Sequence, residues 1–272
     1  MAIRRILINT TDVERSADFY RRFIAAQPVG EVTPERAELD VDTAVIELRR
    51  LADPAASTWV ADDLVRGFRH VGFKVADVDA LVEPLKEAGV PFHLDPLEAE
   101  GGVRIAFFYA PEGTLLEFVQ RDLQYTVVHD EGGVARERAL GTPARPRFDH
   151  VAVTVADRAA SEAFYAPLGF TRIGTIEQPH DARGFHIDYL KGDDTVLELF
   201  TYDVPTTERP PQLDAPGFVA AVLDARAGAA GAAGAPASVT GAVEVGEFAG
   251  ERIVADADGF PFAPASERVV AG

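Results

Sequence analysis

Two residue pairs in this 272-residue chain combine types and spacings suited to metal binding or proton transfer. His70 precedes Glu117 by 47 positions, and His150 precedes Glu198 by 48. Imidazole and carboxylate together are suitable ligands for Zn²⁺, Fe²⁺, Ni²⁺ or Mn²⁺. Taken singly, each residue has a plainer explanation. A lone His beside an apolar run is ordinarily a hydrogen-bonded structural residue. A Glu between apolar neighbours is as readily paired with an Arg or exposed at a strand end. The same pair at matched places in two parts of the chain makes coincident filler the poorer explanation.

The segments around these residues repeat. FRHVGFKVAD (68–77) matches FDHVAVTVAD (148–157). Strand alternation places Val151, Val153 and Val155 on one face and His150, Ala152 and Thr154 on the other. Asp77 and Asp157 are placed to cap the helices that follow, and Gly89 and Gly169 to end them. Three strand-like runs come next, at 92–98, 103–110 and 114–120 in one copy and 171–178, 185–192 and 195–202 in the other. In the last of these, Glu117 alternates with Leu115 and Val119, and Glu198 with Val196 and Phe200. A third copy opens the chain at Arg5, with Asp12 as its cap and Phe19-Tyr20 where the later copy has Phe164-Tyr165. A weaker fourth starts near Gly217. Its helix has decayed to ARAGAAGAAGAP (225–236), which predicts a loose surface helix. Each unit is therefore βαβββ.

Composition narrows the setting. With 47% hydrophobic and 26% charged residues, the chain is globular. A net charge of −18 and a pI near 4.7 repel phosphate backbones, so no nucleic-acid partner is expected. The absence of cysteine excludes disulfides, thiolate metal sites and thiol nucleophiles. No apolar run approaches the roughly 18 residues of a membrane span, and a cytoplasmic location is the default expectation. Walker, G-x-S-x-G and H-E-x-x-H motifs are absent. His180 and His186 fall in and after a turn, where a surface role is expected.

The repeated βαβββ units, the first-strand His, the D-x-x-x-x-x-x-F-Y helix and the last-strand Glu resemble the vicinal oxygen chelate superfamily. That group includes glyoxalase I, methylmalonyl-CoA epimerase, extradiol dioxygenases, and fosfomycin- and bleomycin-resistance proteins. The resemblance implies an α+β fold in which four modules form two cup-shaped, barrel-like mixed sheets with helices on the outside. It implies a glyoxalase-like domain at 1–122, a linker at 123–146 and a second such domain at 147–272 whose fourth module is degenerate. Ligands from two modules would converge on one divalent metal (Zn, Ni, Fe or Mn), with His70, Glu117, His150 and Glu198 as candidates. A small-molecule substrate would chelate that metal through adjacent oxygens, and Glu117 or Glu198 could let go and act as base. The implied activity is a glyoxalase-like isomerase, epimerase or lyase. Alternatives are an extradiol-type dioxygenase, which fits four ligands less well, or a metal-free protein that sequesters an antibiotic-like molecule in the other cup. Lys74, on the strand face of His70, and Phe200, beside Glu198, are candidate substrate contacts. A monomer or homodimer is expected.

Which modules share a cup stays open at this level. The ligand positions read Arg5 and Glu47, His70 and Glu117, His150 and Glu198, then Gly217 and Ala263. Pairing in order leaves two incomplete sites. Pairing module two with three leaves one complete site, with Arg5 neutralising Glu47 in the abandoned cup. The second arrangement is simpler and is preferred.

Overall fold

A computed structural model describes residues 1–224 and 239–264. Module one comprises β1 (Ala2–Thr10), α1 (Val13–Phe23), β2 (Gln27–Pro28), β3 (Arg36–Asp40) and β4 (Val45–Arg50). Module two comprises β5 (Gly67–Val75), α2 (Val78–Glu87), β6 (Phe92–Ala99), β7 (Val103–Tyr109) and β8 (Leu115–Gln120). A connecting segment adds β9 (Val127–Val128) and α3 (Glu131–Ala139). Module three comprises β10 (Arg147–Thr154), α4 (Arg158–Tyr165), β11 (Thr171–Glu177), β12 (His186–Gly192) and β13 (Thr195–Thr201). Module four comprises β14 (Gly217–Asp224), β15 (Val243–Phe248), β16 (Glu251–Ala255) and β17 (Pro261–Pro264). Its expected helix, 225–236, lies outside the described residues.

Strand pairing answers the question of partners. One eight-stranded sheet runs β15-β16-β17-β14-β1-β4-β3-β2, and one nine-stranded sheet runs β6-β7-β8-β5-β10-β13-β12-β11-β9. Module one therefore shares a sheet with module four, and module two with module three. The seams are the antiparallel pairs β1–β14 and β5–β10, while each first strand lies parallel to its own last strand. The connecting segment is not a free linker. Its β9 pairs with β11, and Lys191 of β12 bonds to Glu137 of α3.

Capping follows the sequence. Asp77 accepts from the Ala80 amide at 3.1 Å, and Asp157 from Ala159 and Ala160 at 2.8 and 3.1 Å. Gly89 and Gly169 hold left-handed φ of +71° and +82° where their helices end. The paired Phe-Tyr residues prove to be anchors between sequential modules. Tyr20 donates to the buried Glu112 at 2.7 Å, and Tyr165 donates to Asp256 at 2.6 Å. Sheets thus join modules one with four and two with three, while these phenols tie one to two and three to four. A single apolar core takes residues from all four modules.

In the sheet of modules one and four, the described residues at the ligand positions are apolar or ion-paired. Register sets Leu7 opposite Ala220 and Arg5 opposite Val222, just as Gly72 faces His150 and His70 faces Ala152 in the other sheet. The fourth module's first-strand position is therefore Ala220, not Gly217. Gly217 follows from counting seven residues back from Asp224, as His150 stands seven before Asp157, but β14 runs through Asp224 whereas β10 ends three residues before Asp157. Ala263 does stand at the last-strand position, paired with Val222. Leu7, Ala220, Val222, Ile253 and Ala263 form an apolar cluster, and Leu213 packs on it. Beside it Arg5 donates to Glu47 at 2.7 Å and to Glu251, and Arg49 binds the other Glu47 oxygen at 2.6 Å. Glu47 is neutralised as expected.

Removing the Arg5 guanidinium would take one cation away from two buried carboxylates. Arg5→Ala should therefore lower unfolding stability by about 2–4 kcal/mol in denaturant titrations, with divalent-metal content unchanged.

Candidate metal centre

Module two contributes His70 from β5 and Glu117 from β8, and module three contributes His150 from β10 and Glu198 from β13. All four side chains are buried, and one ligand atom from each lies within 4.8 Å of every other. The two histidine Nε2 atoms approach to 3.1 Å. Glu117 Oε2 is 2.9 Å from His150 Nε2 and 3.3 Å from His70 Nε2. Glu198 Oε2 stands further off, at 3.5 and 4.0 Å from the same atoms. Ligands about 2.1 Å from one ion are about 3.0 Å apart when cis in an octahedron and about 3.4 Å apart in a tetrahedron. The observed separations straddle both values, and the donor set of two imidazoles and two carboxylates suits a divalent cation.

Two features of the β5–β10 seam set this geometry. The first is a pair of related bulges. Phe73 faces Phe148 and Gly72 faces His150, so Asp149 is an extra residue on β10. His70 faces Ala152 and Phe68 faces Val153, so Arg69 is the extra residue on β5. Strict alternation would send Asp149 away from the cup. The bulge instead brings its Oδ2 to 3.0 Å from His150 Nδ1, which can donate to it and leave Nε2 free to bind a cation. Arg69 departs from this pattern, donating to the Asp62 carbonyl and, at 2.6 Å, to Asp63. The second feature is Gly72. A Cβ there would overlap the His150 ring, so only glycine leaves the imidazole its place.

The cluster lies in a cavity of about 560 Å³ whose walls include Phe107, Phe185, Phe200, Ile105 and Tyr189. Phe200 is thus where the sequence put it, with its ring 5.9 Å from that of His70. Lys74 is not among the lining residues. Its ammonium donates to the Arg121 carbonyl and lies 3.9 Å from Asp122 at the closed end of β5. Neither His180 nor His186 lines the cavity; His180 is exposed and His186 half-buried. Sequence reasoning missed Asp149, Gly72 and Leu123, a wall residue from the connecting segment.

The two carboxylates differ electrostatically. Burial would raise Glu117, but hydrogen bonds from His150 and His70 outweigh it and hold the carboxyl at about 2. Burial pushes Glu198 up to about 8, reinforced by the charges of Glu117 and Asp149. Burial takes His70 down to about 4. At His150, burial is outweighed by the charge of Glu198 and the bonds to Asp149 and Glu117, so it rises. Without a cation, the cluster therefore retains a proton near neutral pH, held between His150 and Glu198.

The family described as the Glyoxalase/Bleomycin resistance protein/Dioxygenase superfamily matches residues 2–118 and 147–262. The chain belongs to that superfamily. YwkD of Bacillus subtilis (strain 168), an uncharacterized protein, is 31% identical over 129 residues, which is 44% of this chain and 97% of YwkD. The crystal structure of glyoxalase I from Zea mays superposes with a TM-score of 0.61, covering 96% of this chain and 90% of that one at 19% identity. At that identity the likeness establishes the fold. No helix among the described residues is long and apolar enough to cross a membrane.

Two substitutions test how the seam holds His150. Asp149→Asn should weaken divalent-metal affinity by about 10–100-fold through loss of the ring's fixed orientation. Gly72→Ala should weaken it at least as much while changing no ligand. Competition with a chromophoric chelator measures both.

Proposed function

We propose that the protein is a divalent-metal-dependent enzyme of the glyoxalase-like isomerase, epimerase or lyase type, acting on a small substrate with adjacent oxygens. The observation that carries this reading is the unequal pair of carboxylates in a complete two-His, two-Glu set. His70, His150 and Glu117 would hold the cation. When bound, a divalent metal polarises the oxygens of a chelating substrate and offsets negative charge developing on them. Glu198, whose oxygen lies furthest from the histidines and whose carboxyl burial pushes up in the absence of a cation, is placed to let go of the metal and accept a proton. It would take that proton from a carbon next to a carbonyl and return it to the same or the neighbouring carbon. Phe200, Phe107 and Tyr189 would bracket the substrate and exclude water.

Metal analysis of the purified protein should find about one divalent ion per chain, and His70→Ala should abolish it. The absence of stoichiometric metal, with no effect of His70→Ala, overturns the proposal. Glu198→Gln should keep measurable metal affinity but lose proton exchange. The assay is deuterium incorporation from D₂O into a panel of 2-hydroxyketones, read by NMR.

The same site predicts a pH dependence. Groups with raised values carry a proton below them, and that proton must leave when metal binds. Apparent metal affinity should therefore rise by about tenfold per pH unit below about pH 8 and flatten above it. Calorimetry in buffers of different ionisation enthalpy should show protons released as metal binds at neutral pH. An affinity that is flat with pH argues against the retained proton.

A further inference from the structure

A second, larger cavity of about 810 Å³ lies where the two sheets meet. It is distinct from the metal cavity. Phe68 faces Val153, and both belong to the apolar core on the opposite side of β5 from His70. The two segments that cross between sheets, 51–66 and 202–216, run side by side over this cavity. Ala55 donates to the Asp214 carbonyl at 2.8 Å, Thr58 donates to the Gln212 side chain at 3.0 Å, and Val65 bridges to Thr207. Each crossing segment supplies one recognition group. Trp59 comes from the first and Arg209 from the second. Trp59 Nε1 and Arg209 Nη2 both donate to the Phe68 carbonyl, at 3.0 and 3.3 Å.

The walls are aromatic. Phe68 and Phe218 stack with centroids 3.8 Å apart and planes within 4°, and Trp59 meets Tyr109 edge-on at 6.4 Å. Arg209 is half-buried here, and no carboxylate of the described residues lies within ion-pairing reach of it. That is unusual in a chain with 44 acidic residues against 26 Lys and Arg. Burial and the nearby charge of Arg69 lower its value to about 10. A planar cation with spare donors beside aromatic surfaces is complementary to a flat anion, because guanidinium binds carboxylate through two parallel hydrogen bonds. The volume falls in the range of small-molecule sites.

The geometry points to a second ligand site here for an aromatic carboxylate, its ring against Trp59 and Tyr109 and its carboxylate on Arg209. The inference stands apart from the activity proposed above and uses none of the metal-site residues. The probe is 2-naphthoate, with 2-naphthamide as its neutral isostere. Because Trp59 is the only tryptophan, its indole N–H gives a single resonance in a nitrogen-15 correlation spectrum. Titration of 2-naphthoate should shift that resonance saturably, with a dissociation constant of about 1 mM or tighter. The amide should bind at least about tenfold more weakly. Arg209→Gln should erase the preference for the acid. Failure of 2-naphthoate to shift the resonance, equal binding of acid and amide, or an unchanged preference in Arg209→Gln overturns the assignment. Binding through the metal would survive Arg209→Gln and so counts against it. The acid–amide comparison needs no variant and holds if the substitution impairs folding.

Discussion

The antiparallel contact between β5 and β10 is the constraint on which the rest of the structure depends. It brings the first strands of modules two and three together so that His70 and His150 face one another across the seam, with Nε2 atoms 3.1 Å apart. Glu117 and Glu198 then arrive through the parallel neighbours of those two strands. One seam therefore collects four ligands from parts of the chain up to 128 positions apart. The bulge at Asp149 belongs to the same contact. It adds the residue that fixes one imidazole, and Gly72 directly opposite leaves the space that this imidazole fills.

The two sheets share this architecture and solve the same electrostatic problem differently. In each, carboxylates approach the cup face from neighbouring strands. In the sheet of modules one and four, Arg5 occupies the position of His70, and its guanidinium compensates Glu47 and Glu251 from within the chain. The remaining space is closed by Leu7, Val222, Ile253 and Leu213. In the other sheet no Lys or Arg among the described residues bonds to Glu117 or Glu198. The duplicated fold thus contains its own comparison: at the same positions one sheet carries a covalently attached positive charge beside an apolar cluster, and the other carries the two histidines.

Much of this was legible in the sequence because repetition converts ambiguous residues into a pattern. A histidine beside valines says little, but two at matched distances from two glutamates defined the four candidate ligands, and the strand and helix bounds followed to within one or two residues. Arg5 beside Glu47 was also readable, since charge complementarity needs only the alignment of modules. What escaped depended on departures from regular geometry. Asp149 was hidden because alternation assigns it to the wrong face, and only the bulge reverses that. Ala220 was mistaken for Gly217 because the count from Asp224 assumes that strand and cap keep their usual separation. Lys74 shares the strand face of His70, yet the Arg121 carbonyl captures its ammonium, a tertiary contact that no periodicity encodes. The packed segment of β9 and α3 looked like a linker because its charge and glycine content resemble one.

Holding these four side chains together has an electrostatic cost. Two buried carboxylates and two imidazoles with converging lone pairs repel one another, and burial strengthens every such repulsion. Burial and the neighbouring carboxylates raise Glu198, the carboxylates outweigh burial to raise His150, hydrogen bonds from the histidines outweigh burial to lower Glu117, and burial lowers His70. A proton compensates one charge, whereas the cluster with Asp149 carries three carboxylates in one buried neighbourhood. Under the function proposed above, a divalent cation would relieve more of the repulsion and couple the gain to the folded state, since the four candidate ligands meet only when the β5–β10 seam is formed. The unequal carboxylates follow from that one balance: the oxygen nearest both imidazoles stays ionised, and the more distant one is left able to exchange a proton.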